Sequence, residues 1–287
     1  MSRKKVLLTG GTGFVGRNVL PILRERFEVD APRRVELDLS DAGSVERYLA
    51  RCDADYLVHT AICTPNNAAD AGKNVLNDVL ASFMQLARHP FEKIVFIGSG
   101  AEYDKSRGIV NVTEDDLGKV VPLDDYGLAK YTLTQIARRS DNIYNARIFG
   151  CYGPTEPERR FIRHAITCCL NHEPITIRRD CRFSYVHVAD LGRALCCLLE
   201  ETPRYHDYNI VGEGPFLLSE IAREVRQQMN VDVPLTILSG GLANEYSASG
   251  GRFLVEYPSV GYMTLKCGIA NEIKWMEGCD GQFHEKA

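Results

Sequence analysis

Val6-Leu7-Leu8-Thr9 is a short apolar run broken at once by Gly10, and Gly13 and Gly16 follow at three-residue spacing, opening a helical pattern that reaches Arg26. An uninterrupted aliphatic run of this length reads as a strand buried on both faces. The glycines let the backbone turn sharply, let a ligand approach it, and let the next helix pack closely on the strand. Strand, glycine turn and helix in immediate succession open a parallel βαβ unit. The first N–H groups of such a helix lack intrahelical partners and, with the helix dipole, favour a phosphate. Gly10, Thr12, Gly13, Phe14, Val15 and Gly16 are therefore expected to hold the pyrophosphate of a dinucleotide, a purely structural turn being the alternative.

The alternation continues through the first half. Strand-like runs at Lys5–Leu8, Glu28–Ala31, Tyr56–His59, Lys93–Ile97 and Ile143–Ile148 are separated by helical patterns at Val15–Arg26, Ser44–Ala50, Asn74–Arg88 and Tyr126–Arg139. Strands alternating with helices predict the α/β class, with a doubly wound parallel sheet covered on both faces. Beyond Gly150, prolines at 154, 157, 174, 203, 215, 234 and 258 punctuate shorter elements. The pattern predicts a first domain over 1–150 and a smaller C-terminal α/β region over 151–287, with about 182–202 returning to the first. Arg182–Val188 reads as a strand and Asp190 as the cap of a helix running to about Glu201. Ser219–Gln228 and Cys267–Met276 read as further helices.

Composition narrows the function classes. With 34 Lys and Arg against 38 Asp and Glu, the formal net charge is −4, which gives no reason to bind nucleic acid or a membrane surface. No apolar run approaches the roughly 18 residues of a membrane span. The basic start Met1–Lys5 is followed by only Val6-Leu7-Leu8, too short for a secretory leader, so the cytoplasm is the expected compartment. The ten cysteines include no CxxC pair, and the doublets Cys168-Cys169 and Cys196-Cys197 do not suit one tetrahedral metal; no metal is expected.

A dinucleotide fold calls for a ribose-binding acid about 20 residues past the loop. Pro32-Arg33-Arg34 stands there instead. Two guanidinium groups suit a 2′-phosphate, so NADP is favoured; NAD remains possible, with Asp30 as its acid, and the arginines could also be a solvated pair. Asp38 and Leu39, after a further short strand, are placed against the adenine, with a helix cap by Ser40 or Asp41 as the competing role. Downstream, Tyr126 and Lys130 stand four apart on one helix face. A phenol near pKa 10 needs a neighbouring cation to exchange protons near neutrality, and Lys130 could supply it. The buried run Ile94–Ile97 delivers Ser99 to a strand end, where ligands of open α/β sheets collect. Ser99, Tyr126 and Lys130 beside a nicotinamide would form a site for moving a hydride to or from a carbonyl.

With these motifs the chain resembles the extended short-chain dehydrogenase/reductase family, a Rossmann-fold family whose members mostly act on nucleotide-activated sugars. The resemblance extends over Val58-His59-Thr60-Ala61, Asn77, Phe96–Tyr103, Arg147–Pro154, Arg182–Asp190 and Asn244–Phe253. It implies that Ser99 and Tyr126 hydrogen-bond the reacting oxygen and that Lys130 holds the nicotinamide ribose and lowers the Tyr126 pKa. It implies Thr60, Ala61 and Asn77 as further cofactor contacts, and Cys63, Glu102, Tyr152, Arg182 and Arg252 as substrate contacts; for the two arginines, structural ion pairing is the alternative. The helices Asn74–Arg88 and Tyr126–Arg139 resemble those of the family's dimer interface, so a homodimer is expected.

Departures from the family pattern select among its reactions. The 4,6-dehydratases carry an Asp-Glu pair after the active hydroxyl, where this chain has Gly100-Ala101, and Glu102 falls one place late. The fucose synthase branch has a Cys where Ala101 stands, although Cys63, His164 or His187 could lie nearby. Gly150 replaces a common Asn. What remains is reduction of a 4-keto nucleotide-linked deoxysugar with NADPH. An NAD-retaining nucleotide-sugar 4-epimerase is the runner-up, and a non-catalytic NADP-binding sensor the third reading.

Overall fold

The computed structural model describes residues 3–62 and 74–283. From the N-terminal side run β1 (Lys5–Thr9), α1 (Phe14–Arg26), β2 (Glu28–Asp30), α2 (Ala42–Leu49), β3 (Tyr56–His59) and α3 (Val75–Leu86). Then come β4 (Lys93–Ser99), a 3-10 turn at Gly100–Tyr103, β5 (Ile109–Val112), α4 (Asp125–Ala137) and β6 (Ile143–Ile148). The second half holds β7 (Gly150–Tyr152), α5 (Phe161–Leu170), β8 (Ile175–Asp180), β9 (Arg182–Phe183), β10 (Tyr185–His187) and α6 (Val188–Glu200). It continues with β11 (Asp207–Asn209), β12 (Phe216–Leu217), α7 (Leu218–Met229), β13 (Leu235–Leu242), β14 (Tyr246–Ala248), α8 (Gly251–Glu256) and α9 (Leu265–Phe283).

Six strands form one all-parallel sheet in the order β11-β6-β4-β3-β1-β2. It is the doubly wound Rossmann-like sheet that the alternation predicts. Each face of the sheet has its own apolar core. Val6, Leu8, Val58 and Val95 pack under α1 and α6 through Val19, Leu23, Leu191 and Leu195. Leu7, Leu57, Ile94 and Phe96 pack under α2, α3 and α4 through Val45, Phe83 and Leu133. Alternate strand residues thus serve opposite faces, the pleat of a strand buried on both sides. A third core joins α5, α7 and α9 to β8. The chain reaches β2 on one side of β1 and β3 on the other, so a crevice opens between β1 and β3 at their C-terminal ends.

Several local expectations are corrected. The strand read before Asp38 is a turn, closed by the Glu36 and Leu37 amides on the Arg33 carbonyl at 2.8 and 3.0 Å. Arg182–Val188 is two short strands rather than one: β9 pairs with β12 and β14, and β10 pairs with β7. Asp190 does not cap α6. The cap is His187, whose Nδ1 accepts from the Ala189 amide at 3.2 Å, while Asp190 lies buried in the first turn, accepting from the Met263 amide and paired with Arg193.

Candidate active site

The glycine loop owes its shape to two close approaches. Gly10 has φ +77°, and a Cβ there would lie 2.5 Å from the Ala61 amide nitrogen; a Cβ on Gly16 would lie 2.1 Å from the Gly10 carbonyl oxygen. Neither position accepts a side chain, because each packs backbone against backbone. Gly13 caps α1 with no side-chain bond, and no acid stands in the first turn, so the helix presents free N–H groups and an unopposed dipole.

These residues form one end of a cleft of about 410 Å³ lined by Thr9, Gly10, Thr12, Gly13, Asp38, Leu39, Thr60 and Ala61. A dinucleotide fits it on two observations: the side-chain-free backbone at Gly10 and Gly13, and the buried Gln85 Oε1, which lacks a partner and belongs to the cleft lining. Gln85, Asp78 and Ser82 of α3, with His59, are cleft residues the sequence reading missed. No local motif marks them. His59 accepts or donates to Thr9 Oγ1 at 2.7 Å, and burial pushes its pKa down to about 3, so it stays neutral. Asn77 is exposed and does not line the cleft; its amide is bound by the Asn74 side chain.

Of the two arginines, only Arg34 lines the cleft; Arg33 pairs with Glu36 outside it. Arg34 lies 3.6 Å from Asp38, whose carboxyl is held below its ordinary range chiefly by the Ser40 hydroxyl and amide. Asp30 accepts a hydrogen bond from the Tyr48 hydroxyl and is absent from the cleft lining.

Ser99 ends β4 and caps the turn at Gly100–Tyr103, its Oγ accepting from the Ala101 amide at 3.2 Å. The Asp124 side chain caps α4, starting it where the Tyr126 phenol faces the Ser99 side chain. Burial pushes the Tyr126 phenol up to about 12. Lys130, 2% exposed, donates to the Ile97 carbonyl at 2.8 Å and lies over the Phe96 ring; burial lowers it to about 8, against the Glu102 charge, which raises it. A third hydroxyl joins this group. Tyr246 of β14 also comes up to Ser99, and a Cβ on Gly100 would meet its hydroxyl at 2.6 Å, so Gly100 leaves the space this phenol fills. Tyr246 lies in the Asn244–Phe253 segment over which the family resemblance extends, but nothing local distinguishes it there.

The expected substrate contacts separate. Glu102 is fully buried and accepts from the Ser99 amide, Thr134 Oγ1, Asn145 Nδ2 and Arg147 Nε, so it has no surface for a substrate. Tyr152 is packed edge-on between Tyr185 and His187 in the third core. Arg252 is held by Glu114, Asp115 and Asp207 and covers the Tyr205 ring, the structural ion pairing that was its alternative. Arg182 is half-buried, and its guanidinium has no bonded partner among the described residues. Cys63 lies outside the described residues. His164 is exposed on α5, and His187 caps α6 through Nδ1, its buried Nε2 having no hydrogen-bond partner among the described residues. Among the described residues, no three His, Cys, Asp or Glu side chains are grouped to hold a metal, and no helix is long and apolar enough to cross a membrane.

A GDP-L-fucose synthase from Azorhizobium caulinodans is 30% identical over 189 residues, 57% of this chain and 58% of that protein. A UDP-glucose 4-epimerase from Azospirillum brasilense is 26% identical over 234 residues, 66% of each. The chain therefore spans less than two thirds of these relatives' lengths. An NADP-bound GDP-L-fucose synthetase from Naegleria fowleri superposes with a TM-score of 0.84 at 14% identity, over 100% of this chain and 95% of that one. A GDP-mannoheptose C4 reductase from Campylobacter jejuni gives 0.78 at 16% identity, over 96% and 99%. Residues 6–211 match a single family description across most of the chain's length, and the protein is a member of the NAD dependent epimerase/dehydratase family.

Proposed function

We propose that this protein reduces a 4-keto nucleotide-linked deoxysugar with NADPH. What supports the reading is that Ser99 ends β4 with Tyr126 facing it and Lys130 bonded to the Ile97 carbonyl two residues upstream, at a strand end where Gly100 and Ala101 supply no acid or base for elimination or carbon-proton exchange. The GDP-sugar specificities of the fucose synthase relative and of the C4 reductase neighbour support a nucleotide sugar. Arg34 at the cleft, with Asp30 engaged by Tyr48, supports NADP over NAD. Residues 1–150 with about 182–202 would hold the cofactor, and the rest of 151–287 the sugar nucleotide.

Bound in the cleft, NADPH would supply the hydride. Tyr126 holds the proton that the ketone oxygen receives, and it is the protonated phenol at neutral pH because burial raises it. Ser99 donates to the oxygen on which charge develops. Lys130, charged below about pH 8, stabilises the phenolate left behind. Arg182 offers an uncommitted cation for the diphosphate. A homodimer through α3 and α4 is proposed on the family resemblance.

The test is mass spectrometry of a panel of 4-keto nucleotide sugars incubated with NADPH. A gain of two hydrogens is expected. An unchanged mass with altered stereochemistry would instead support the second reading, an NAD-retaining 4-epimerase, which the likeness to UDP-glucose 4-epimerase favours.

A further inference from the structure

Glu102 is not a substrate contact, and burying it gives it a different use. Its carboxylate is bonded to Arg147 Nε at 2.7 Å, Thr134 Oγ1 at 2.8 Å, the Ser99 amide at 2.9 Å and Asn145 Nδ2 at 3.1 Å. Two of these donors lead into the catalytic group. The Ser99 amide belongs to the residue that meets Tyr126, and Thr134 stands one turn beyond Lys130 on α4, its Oγ1 within 3.1 Å of the Lys130 carbonyl. Gly98 keeps the approach open: a Cβ there would lie 2.5 Å from Glu102 Oε1 and 2.0 Å from the Asn145 side chain.

We propose that Glu102 is a positioning residue that clamps the Ser99 backbone to α4 one turn beyond Lys130, so that a buried negative charge stands at the Ser99–Lys130 site. The proposal rests on the reductase reading for its direction: reduction needs the phenol protonated and the ammonium charged at the start of each turnover. The Glu102 charge raises both groups, Lys130 against its burial and Tyr126 along with it. Other groups face the pair as well. His59 of β3 stays neutral beside Lys130. Around Tyr126 stand Arg160, Asp124, Lys105 over its ring, and Tyr246 of β14 sharing Ser99. Arg147, which pairs with Glu102, is shared with Asp207 and lies on Tyr103. None of these other groups bonds both to the Ser99 backbone and to α4.

The experiment is the Glu102→Gln variant, which keeps shape and removes charge. The high-pH limb of its kcat profile is expected about one pH unit below that of the wild type, with kcat at pH 7 down about tenfold and the KM for NADPH unchanged. A limb that does not move, or moves up, overturns the proposal, because a merely structural role would lower kcat without shifting the profile. Should Glu102→Gln fail to fold, Thr134→Val leaves the charge and cuts the tie to α4: a kcat about threefold lower with an unmoved limb is expected, and an unchanged kcat overturns the clamp. The Tyr126 ionisation is also read without any sugar, by NMR of ring-labelled tyrosine in the NADPH complex, assigned with Tyr126→Phe. A lower midpoint in Glu102→Gln with no keto-sugar turned over would sink the reductase reading and leave the clamp standing. An unmoved midpoint in an active enzyme would do the reverse.

Discussion

Arg34→Ala tests cofactor choice at a single side chain. Arg34 lines the cleft, whereas Arg33 is 72% exposed and paired with Glu36 outside it, so the two adjacent arginines are expected to behave differently. A charge-assisted hydrogen bond contributes roughly 1.5–3 kcal/mol. Arg34 is itself 59% exposed and lies 3.6 Å from Asp38, so solvent screening and the competing carboxylate reduce its grip on a 2′-phosphate to about 1–2 kcal/mol. That corresponds to a roughly five- to thirty-fold loss of NADPH affinity. NADH, lacking the phosphate, should bind within about twofold of wild type. Calorimetric titration of both cofactors at low and high salt measures the ratio. The wild-type preference should shrink with salt, as expected of an exposed ionic contact, and the variant's should barely depend on it. Arg33→Ala should leave the ratio unchanged. An unaltered NADPH/NADH ratio in Arg34→Ala, or an equal loss in Arg33→Ala, would refute the assignment.

Tyr126→Phe should keep NADPH binding and lose turnover by at least about a hundredfold, the usual range for a positioned general acid; near-normal kcat would remove Tyr126 from the mechanism. Glu156 is 2% exposed with Oε2 unpartnered, and burial raises its pKa to about 8. A raised folded pKa means that its stabilising contribution is complete below the unfolded value near 4.5 and is lost as pH rises through about 8. Glu156→Gln should therefore flatten the fall in Tm between pH 6 and pH 9, and a variant curve parallel to wild type would contradict this. Cys151 is buried and its thiol is pushed up by desolvation, whereas Cys267 is exposed. A thiol reagent on the native protein, read by peptide mass mapping, should label Cys267 and spare Cys151; early labelling of Cys151 would show that the β7 region opens.

Tyr246, Arg252 and Glu102 show where local reading reached its limit. All three lie in segments that resemble family motifs, but their roles are decided by partners 32 or more residues away. Arg252 had two open roles, diphosphate or ion pairing, and only the arrival of Glu114, Asp115 and Asp207 around it decided between them. Tyr246 reaches Ser99 because β14 pairs with β9 and β5, a register that no short window contains. Arg33 and Arg34 look equivalent in sequence, and the turn at 33–37 separates them.

The sequence by itself determined the doubly wound sheet and the glycine loop, because hydrophobic period and the steric freedom of glycine act within a few residues. It also brought Tyr126 and Lys130 to one helix face, since a four-residue spacing is a property of the helix alone. Only the tertiary structure decided which charges are buried. A carboxylate such as Glu102 can leave water only where Arg147, Thr134 and Asn145 meet it, and those donors come from separate elements that the fold alone brings together.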